Sequence, residues 1–149
     1  MTVDIINRSG ALVPESQMHT LIDFGIDYME INPECTIALT FVDVQEMEEL
    51  HIKWMDEPGP TDVLSFPMDM PEAKGDVVTL GDIVIAPAVA AQQAQIAGHS
   101  IDHEIFILAT HGLLHILGYD HADPGEEKVM FALQEKIVKE WSLTVSNNG

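Results

Sequence analysis

Along the chain the hydrophobic positions change period in an ordered way. Val3–Asn7 is a short β-branched run. After Pro14, the apolar residues Met18, Leu21, Ile22, Ile26 and Met29 recur at three- and four-residue intervals, which predicts a strand followed by a helix. Thr36–Val42 reads as a second strand, and Asp43 with Glu46 forms the N-cap and capping-box pair of a helix reaching about Trp54. Asp56–Pro60 holds two prolines and a glycine and predicts a loop, after which Val63–Met68 extends, with Pro67 marking a sheet edge or a strand end. Val77–Leu80 and Gly81–Ile85 predict a further strand. Ala86–Pro87 ends it and leads into a helix, Ala88–Ala97, stopped by Gly98.

The second half is helical. Ser100 caps a helix with Asp102 and Glu104 in its first turn, and the run Ile105–Leu117 is apolar nearly all round, the mark of a centrally buried helix. Gly118 supplies the left-handed residue that ends it. Asp123-Pro124-Gly125-Glu126 then places an N-cap, an N1 proline and an N3 glutamate in order, so a last helix runs to about Trp141, with Ser146–Gly149 fraying. Strands early and helices late predict an α+β fold, a small sheet packed on one side by helices, and 149 residues fit a single domain spanning 1–149.

Composition narrows the chemistry. The first residues lack a basic segment followed by an apolar core, and nowhere do about 18 apolar residues run together, so the expectation is a soluble cytoplasmic protein without a membrane partner. Cys35 is the only cysteine, which excludes an internal disulfide and a metal site built of sulfur alone. A site must use histidine and carboxylate. The net charge of −19 repels a phosphate backbone and argues against autonomous nucleic-acid binding, while suiting a basic partner protein or metal cations.

Three of the seven histidines fall in His111-Gly-Leu-Leu-His115-Ile-Leu-Gly118-Tyr-Asp-His121. Residues four apart stand one above the other on a helix, so His111 and His115 point two imidazoles at a common point. A reversal at Gly118 can return His121 as a third nitrogen ligand. Three neutral imidazoles suit one zinc ion and leave the fourth tetrahedral position open, which implies catalysis. As mere core residues, the three rings would each need a separate polar partner. His19, His51, His99 and His103 have no comparable geometry and receive no role.

The spacing equals that of the metzincin proteases, H-E-x-x-H-x-x-G-x-x-H, but Gly112 stands where their general base, a glutamate, belongs. Peptide hydrolysis by that route loses its proton acceptor. Two acids lie close in sequence. Glu104, seven residues before His111, either accepts a proton from a ligand histidine or is an ordinary helix N-terminal acid; Asp120 either orients His121 and activates the water or belongs to local turn chemistry.

Residues 111–121 match the signature H-G-x-L-H-x-x-G-Y-D-H, and the chain here resembles the YbeY family of bacterial metal-dependent endoribonucleases. Pro60-Thr-Asp-Val-Leu-Ser-Phe-Pro67 and Leu80-Gly-Asp-Ile-Val-Ile85 are similar to two further stretches of that family, in the same order. The resemblance implies a zincin-like domain with its metal site on a central buried helix and a zinc on His111, His115 and His121. It also implies cleavage of single-stranded RNA in ribosomal RNA maturation, at the 16S 3′ end, and in ribosome quality control. It places Thr61, Asp62 and Ser65 on a loop facing the metal as substrate-binding groups; read alone, the loop is a turn feeding a strand.

The family commonly carries a tyrosine-arginine pair ahead of that loop, where this chain has Trp54 and Met55. Lys53 is a candidate substitute, although lysine lacks the planar fork that grips phosphate at two points. With the acidic surface, that departure points toward basic ribosomal proteins as partners. The leading expectation is a metallo-endoribonuclease with Asp120 and Lys53 as candidate catalytic residues. The rivals are a zinc hydrolase of peptides or small molecules and a non-catalytic ribosome assembly factor.

Overall fold

The computed structural model describes residues 3–59, 61–73, 75–120 and 122–148, with side chains as far as Val145. The elements run β1 (Val3–Asn7), α1 (Glu15–Tyr28), β2 (Thr36–Phe41), α2 (Val44–Met55), β3 (Val63–Pro67), β4 (Thr79–Ile85), α3 (Pro87–Ala97), α4 (Ile101–Ile116) and α5 (Pro124–Asn148). The helix and strand order read from the hydrophobic pattern is present throughout. Two ends differ. The last helix continues through Asn148 rather than stopping near Trp141 and fraying from Ser146, because no glycine or proline interrupts the chain between those points. Gly149 lies outside the described residues.

The strands form a mixed sheet in the order β1-β2-β4-β3, parallel between β1, β2 and β4 and antiparallel between β4 and β3. Strand β3 is therefore an edge, which accommodates Pro67 at its end. Along β4, Ile83 and Ile85 enter the main core, while Val84 between them points to the other face. The main core joins that first face to α1, α4 and α5, and the indole N–H of Trp141 donates to Thr20 Oγ1 at 3.1 Å, tying α5 to α1.

The second face is not bare. Met47 and Leu50 of α2 and Val89 of α3 pack there against Leu64, Phe66 and Val84, so the expectation of helices on one side only is corrected. The reason lies in β4. Its residues bury on both faces, a pattern of continuous apolar character that calls for cover on each side.

The capping box expected at α2 is half made. Asp43 Oδ1 accepts the Glu46 N–H at 2.8 Å, but the Glu46 carboxylate turns away to an ion pair with Arg8 beyond the end of β1. That carboxylate raises the pKa of the Arg8 guanidinium, through the hydrogen bond first and its charge second.

Two features position the site. Helix α4 is buried almost all round, as its composition predicts, and past Asp102 only His103, Ile107, His111 and His115 reach the surface in part. These four recur every fourth residue and form one stripe. The helix then closes in a Schellman motif: Tyr119 N–H donates to Leu114 O at 3.0 Å, Gly118 N–H to His115 O at 3.0 Å, and Gly118 takes φ +100°.

Candidate active site

Because α4 lies across the sheet with its one open stripe beside β3, the polar side chains of the loop before β3 and the histidines of α4 meet in a cavity. It measures about 580 Å³ and is lined by Met55, Thr61, Asp62, Ser65, His111, His115, Phe131 and Gln134, with Val63, Leu64, Ile107 and Leu108. The rings of His111 and His115 stand 4.9 Å apart between centroids, inclined at 77°, as the four-residue spacing requires. His121 lies outside the described residues. Among those described, no group of three or more histidine, cysteine, aspartate and glutamate side chains is arranged to hold a metal ion; His111 and His115 supply two imidazoles.

His111 is oriented by a residue that local spacing did not single out. Gln134 Oε1, on α5, lies 2.8 Å from His111 Nδ1, and since an amide oxygen only accepts, Nδ1 carries the proton. The lone pair of that imidazole is then on Nε2. Gln134 falls between the buried Met130 and Ile137 in the inward stripe of α5, and an amide in an apolar stripe is the signal that could have found it.

Glu104 does not serve His111. Its buried carboxylate reaches His99 Nε2 at 2.5 Å across the α3–α4 corner, while the His99 and His103 rings stack edge to face at 4.8 Å. Seven residues put Glu104 on the right helical face, but two turns is too far for a carboxylate to span. Asp120 lines a separate groove with Gly118, Tyr119 and Gly125.

Thr61, Asp62 and Ser65 all line the cavity, with different commitments. Asp62 Oδ1 accepts from Val63 N–H at 2.8 Å and Oδ2 from the Gln93 amide at 3.1 Å, so this carboxylate ties the loop to its own strand and to α3. Thr61 Oγ1 donates to Asp62 Oδ1 at 3.3 Å, and Ser65 Oγ makes a long 3.4 Å contact with Gly112 O. Lys53 Nζ sits 5.1 Å over the Trp54 ring and Met55 takes the place on the cavity wall. No lysine or arginine is among the described residues of that wall.

Gly112 has a packing role. A Cβ there would lie 2.8 Å from Ile83 Cγ2, 3.2 Å from Ile83 Cγ1 and 3.3 Å from Ser65 Oγ, so the missing side chain is what lets α4 approach β4. A glutamate in the protease position has no room. Gly112→Ala is expected to lower unfolding stability by about 1–3 kcal/mol through overpacking, read by urea titration.

The family model for "Endoribonuclease YbeY" matches residues 7–142. Curated proteins of that name are similar over 95% of this chain: one from Nocardia farcinica (strain IFM 10152) is 48% identical with 80% of its length covered. Those from Mycobacterium sp. (strain KMS) and Mycobacterium tuberculosis (strain ATCC 25177 / H37Ra) are 47% identical with 84% covered. The solution structure of a Thermotoga maritima protein superposes with a TM-score of 0.67 over 99% of this chain and 93% of its own, and at 24% identity that likeness concerns the fold alone. With a family model covering all but the two ends of the sequence and relatives near half identical along it, the chain belongs to the Endoribonuclease YbeY family.

Proposed function

We propose that this endoribonuclease cuts single-stranded ribosomal RNA, at the 16S 3′ end and in ribosome quality control, with one zinc ion held by His111, His115 and His121. The observation that supports it is the His111–Gln134 contact: with Nδ1 donating to the amide oxygen, the ring lone pair is on Nε2, the arrangement in which metal-binding imidazoles are normally held. The cavity wall supports it from the substrate side. A scissile phosphate there meets imidazoles and a tethered aspartate but, among the described residues of the wall, no lysine or arginine, a lining that suits a bound metal cation.

When bound, such an ion supplies positive charge to phosphoryl oxygens and lowers the pKa of a water toward about 7. The chain supplies the rest. Gln134 holds the His111 ring in place, Asp62 braces the loop between Val63 and Gln93, and Thr61 and Ser65 present hydroxyls to the strand in the cleft. Asp120 stands nearest in sequence to His121 and is the candidate proton acceptor; Lys53, held over Trp54, is the weaker candidate. In this reading the chain is one zincin-like domain with its metal on the buried helix α4. It works in the cytoplasm beside basic ribosomal proteins drawn to its charge of −19. Peptide hydrolysis is disfavoured, since Ile83 excludes the base from position 112.

The test is metal analysis of the purified chain with cleavage of a single-stranded RNA. Roughly one zinc per chain is expected, and less than about half would defeat the metal assignment. Product ends then identify the nucleophile: a 2′,3′-cyclic phosphate means attack by the ribose hydroxyl, and a 5′-phosphate with a 3′-hydroxyl means attack by water. Gln134→Leu is expected to weaken zinc affinity about 10–100-fold with the fold intact, measured by chelator competition.

A further inference from the structure

The histidine cavity does not end at His111. A second groove of about 560 Å³ runs between α4 and α5 and shares Ile107, Phe131 and Gln134 with it. Together they make one track along the open stripe of α4, from His115 back to His103, about 12 Å beyond His111 at 1.5 Å per residue. At the junction stands Phe131, 42% exposed, its ring centroid 6.0 Å from that of His111. Beyond it the groove has an apolar wall at the buried Val138 and, at its rim, Lys139 beside Glu135.

We propose that this groove is a nucleotide subsite for the RNA strand, taking the nucleotide next to the scissile phosphate. It rests on the endoribonuclease reading given above. The Phe131 ring stacks the base and Lys139 contacts the flanking phosphate. Two observations carry it. The groove is continuous with the cavity through three shared residues, so a strand lying across the histidines has this path along α4. And in a chain with only six basic residues, Lys139 is the one lysine or arginine along the track among the described residues, lining the groove on the far side of Phe131 from the histidine cavity. Aromatic stacking and a backbone cation together are how single strands are gripped without base readout. Glu135 adds an acceptor for an exocyclic amino group of the base.

The experiment scans single-stranded RNA oligomers carrying an abasic ribose at successive positions around the cut. In the wild type kcat/KM is expected to fall about tenfold at one position. Phe131→Leu, which keeps apolar volume at an exposed site, loses that sensitivity there and nowhere else. Lys139→Gln lowers the slope of log affinity against log salt by about one. An abasic profile unchanged in Phe131→Leu, or an unchanged salt slope in Lys139→Gln, overturns the subsite. If the zinc-loaded wild type cuts no RNA, the endoribonuclease reading fails on its own account. Binding of a 2′-O-methyl oligomer then decides the groove: weaker binding by Phe131→Leu supports it, and equal affinity overturns it.

Discussion

His115→Ala is expected to abolish RNA cleavage, by about a thousandfold or more, while leaving the chain folded. The size follows from the part played by a metal ion at a phosphoryl centre, worth several kcal/mol of transition-state charge stabilisation, at 1.36 kcal/mol per tenfold in rate. The survival of the fold follows from position. His115 lies in the last turn of α4 on its one open stripe, half-buried, and the turn closing the helix uses the main-chain oxygens of Leu114 and His115, which alanine keeps. Zinc content and cleavage should fall together, with the far-UV spectrum unchanged. A variant that keeps its zinc and still cleaves at the wild-type rate would remove His115 from the site, and one that keeps cleaving without zinc would remove the metal from the reaction.

Gly81→Ala is the other large effect, and it acts through the fold. Gly81 takes φ +150°, a conformation L side chains rarely adopt, where the register between β2 and β4 shifts: Thr36 pairs with Thr79, but Ile37 pairs with Gly81. A Cβ there would run into the carbonyl oxygen of Phe66 and lie 3.1 Å from Pro67 Cα, both backbone atoms of β3 that cannot rotate aside. Relief requires pulling β3 off the sheet edge. The expected cost is about 3 kcal/mol or more, since strained backbone and broken packing are added. Because β3 carries Ser65 and follows directly on Thr61 and Asp62, the cavity wall goes with it. Urea unfolding measures the loss, and a midpoint within error of the wild type would show that the strand accommodates the methyl group.

The contrast between Gly81 and Gly112 bears on how these motifs are read. In the sequence, Leu80-Gly-Asp opens a stretch similar to a strand of the family, and His111-Gly-Leu-Leu-His115 opens the histidine motif. In the fold each glycine is a place where backbone or helix comes too close for a side chain, to β3 in one case and to Ile83 in the other.

Much of the molecule was legible in local pattern. Strand and helix order, the Asp43 and Ser100 caps, the Gly118 turn and the shared direction of His111 and His115 all depend on residues within about one helical turn of each other, and such interactions leave a periodicity that can be read along the chain. What only the tertiary structure decided lies across long separations. Gln134 reaches His111 from 23 residues away and Glu46 leaves its own capping box for Arg8 38 residues distant, while Glu104 turns to His99, near in sequence but on the other side of the corner between α3 and α4. Phe131 stands next to His111 only because α5 packs on α4. The second face of the sheet was covered for the same kind of reason, by α2 and α3 meeting residues of β3 and β4. Hydrophobic period tells which face of an element is buried but not against which element, so the pairing of the two imidazoles on α4 could be read from the sequence, while the groove beside them and the amide that orients His111 came only with the packing of the helices.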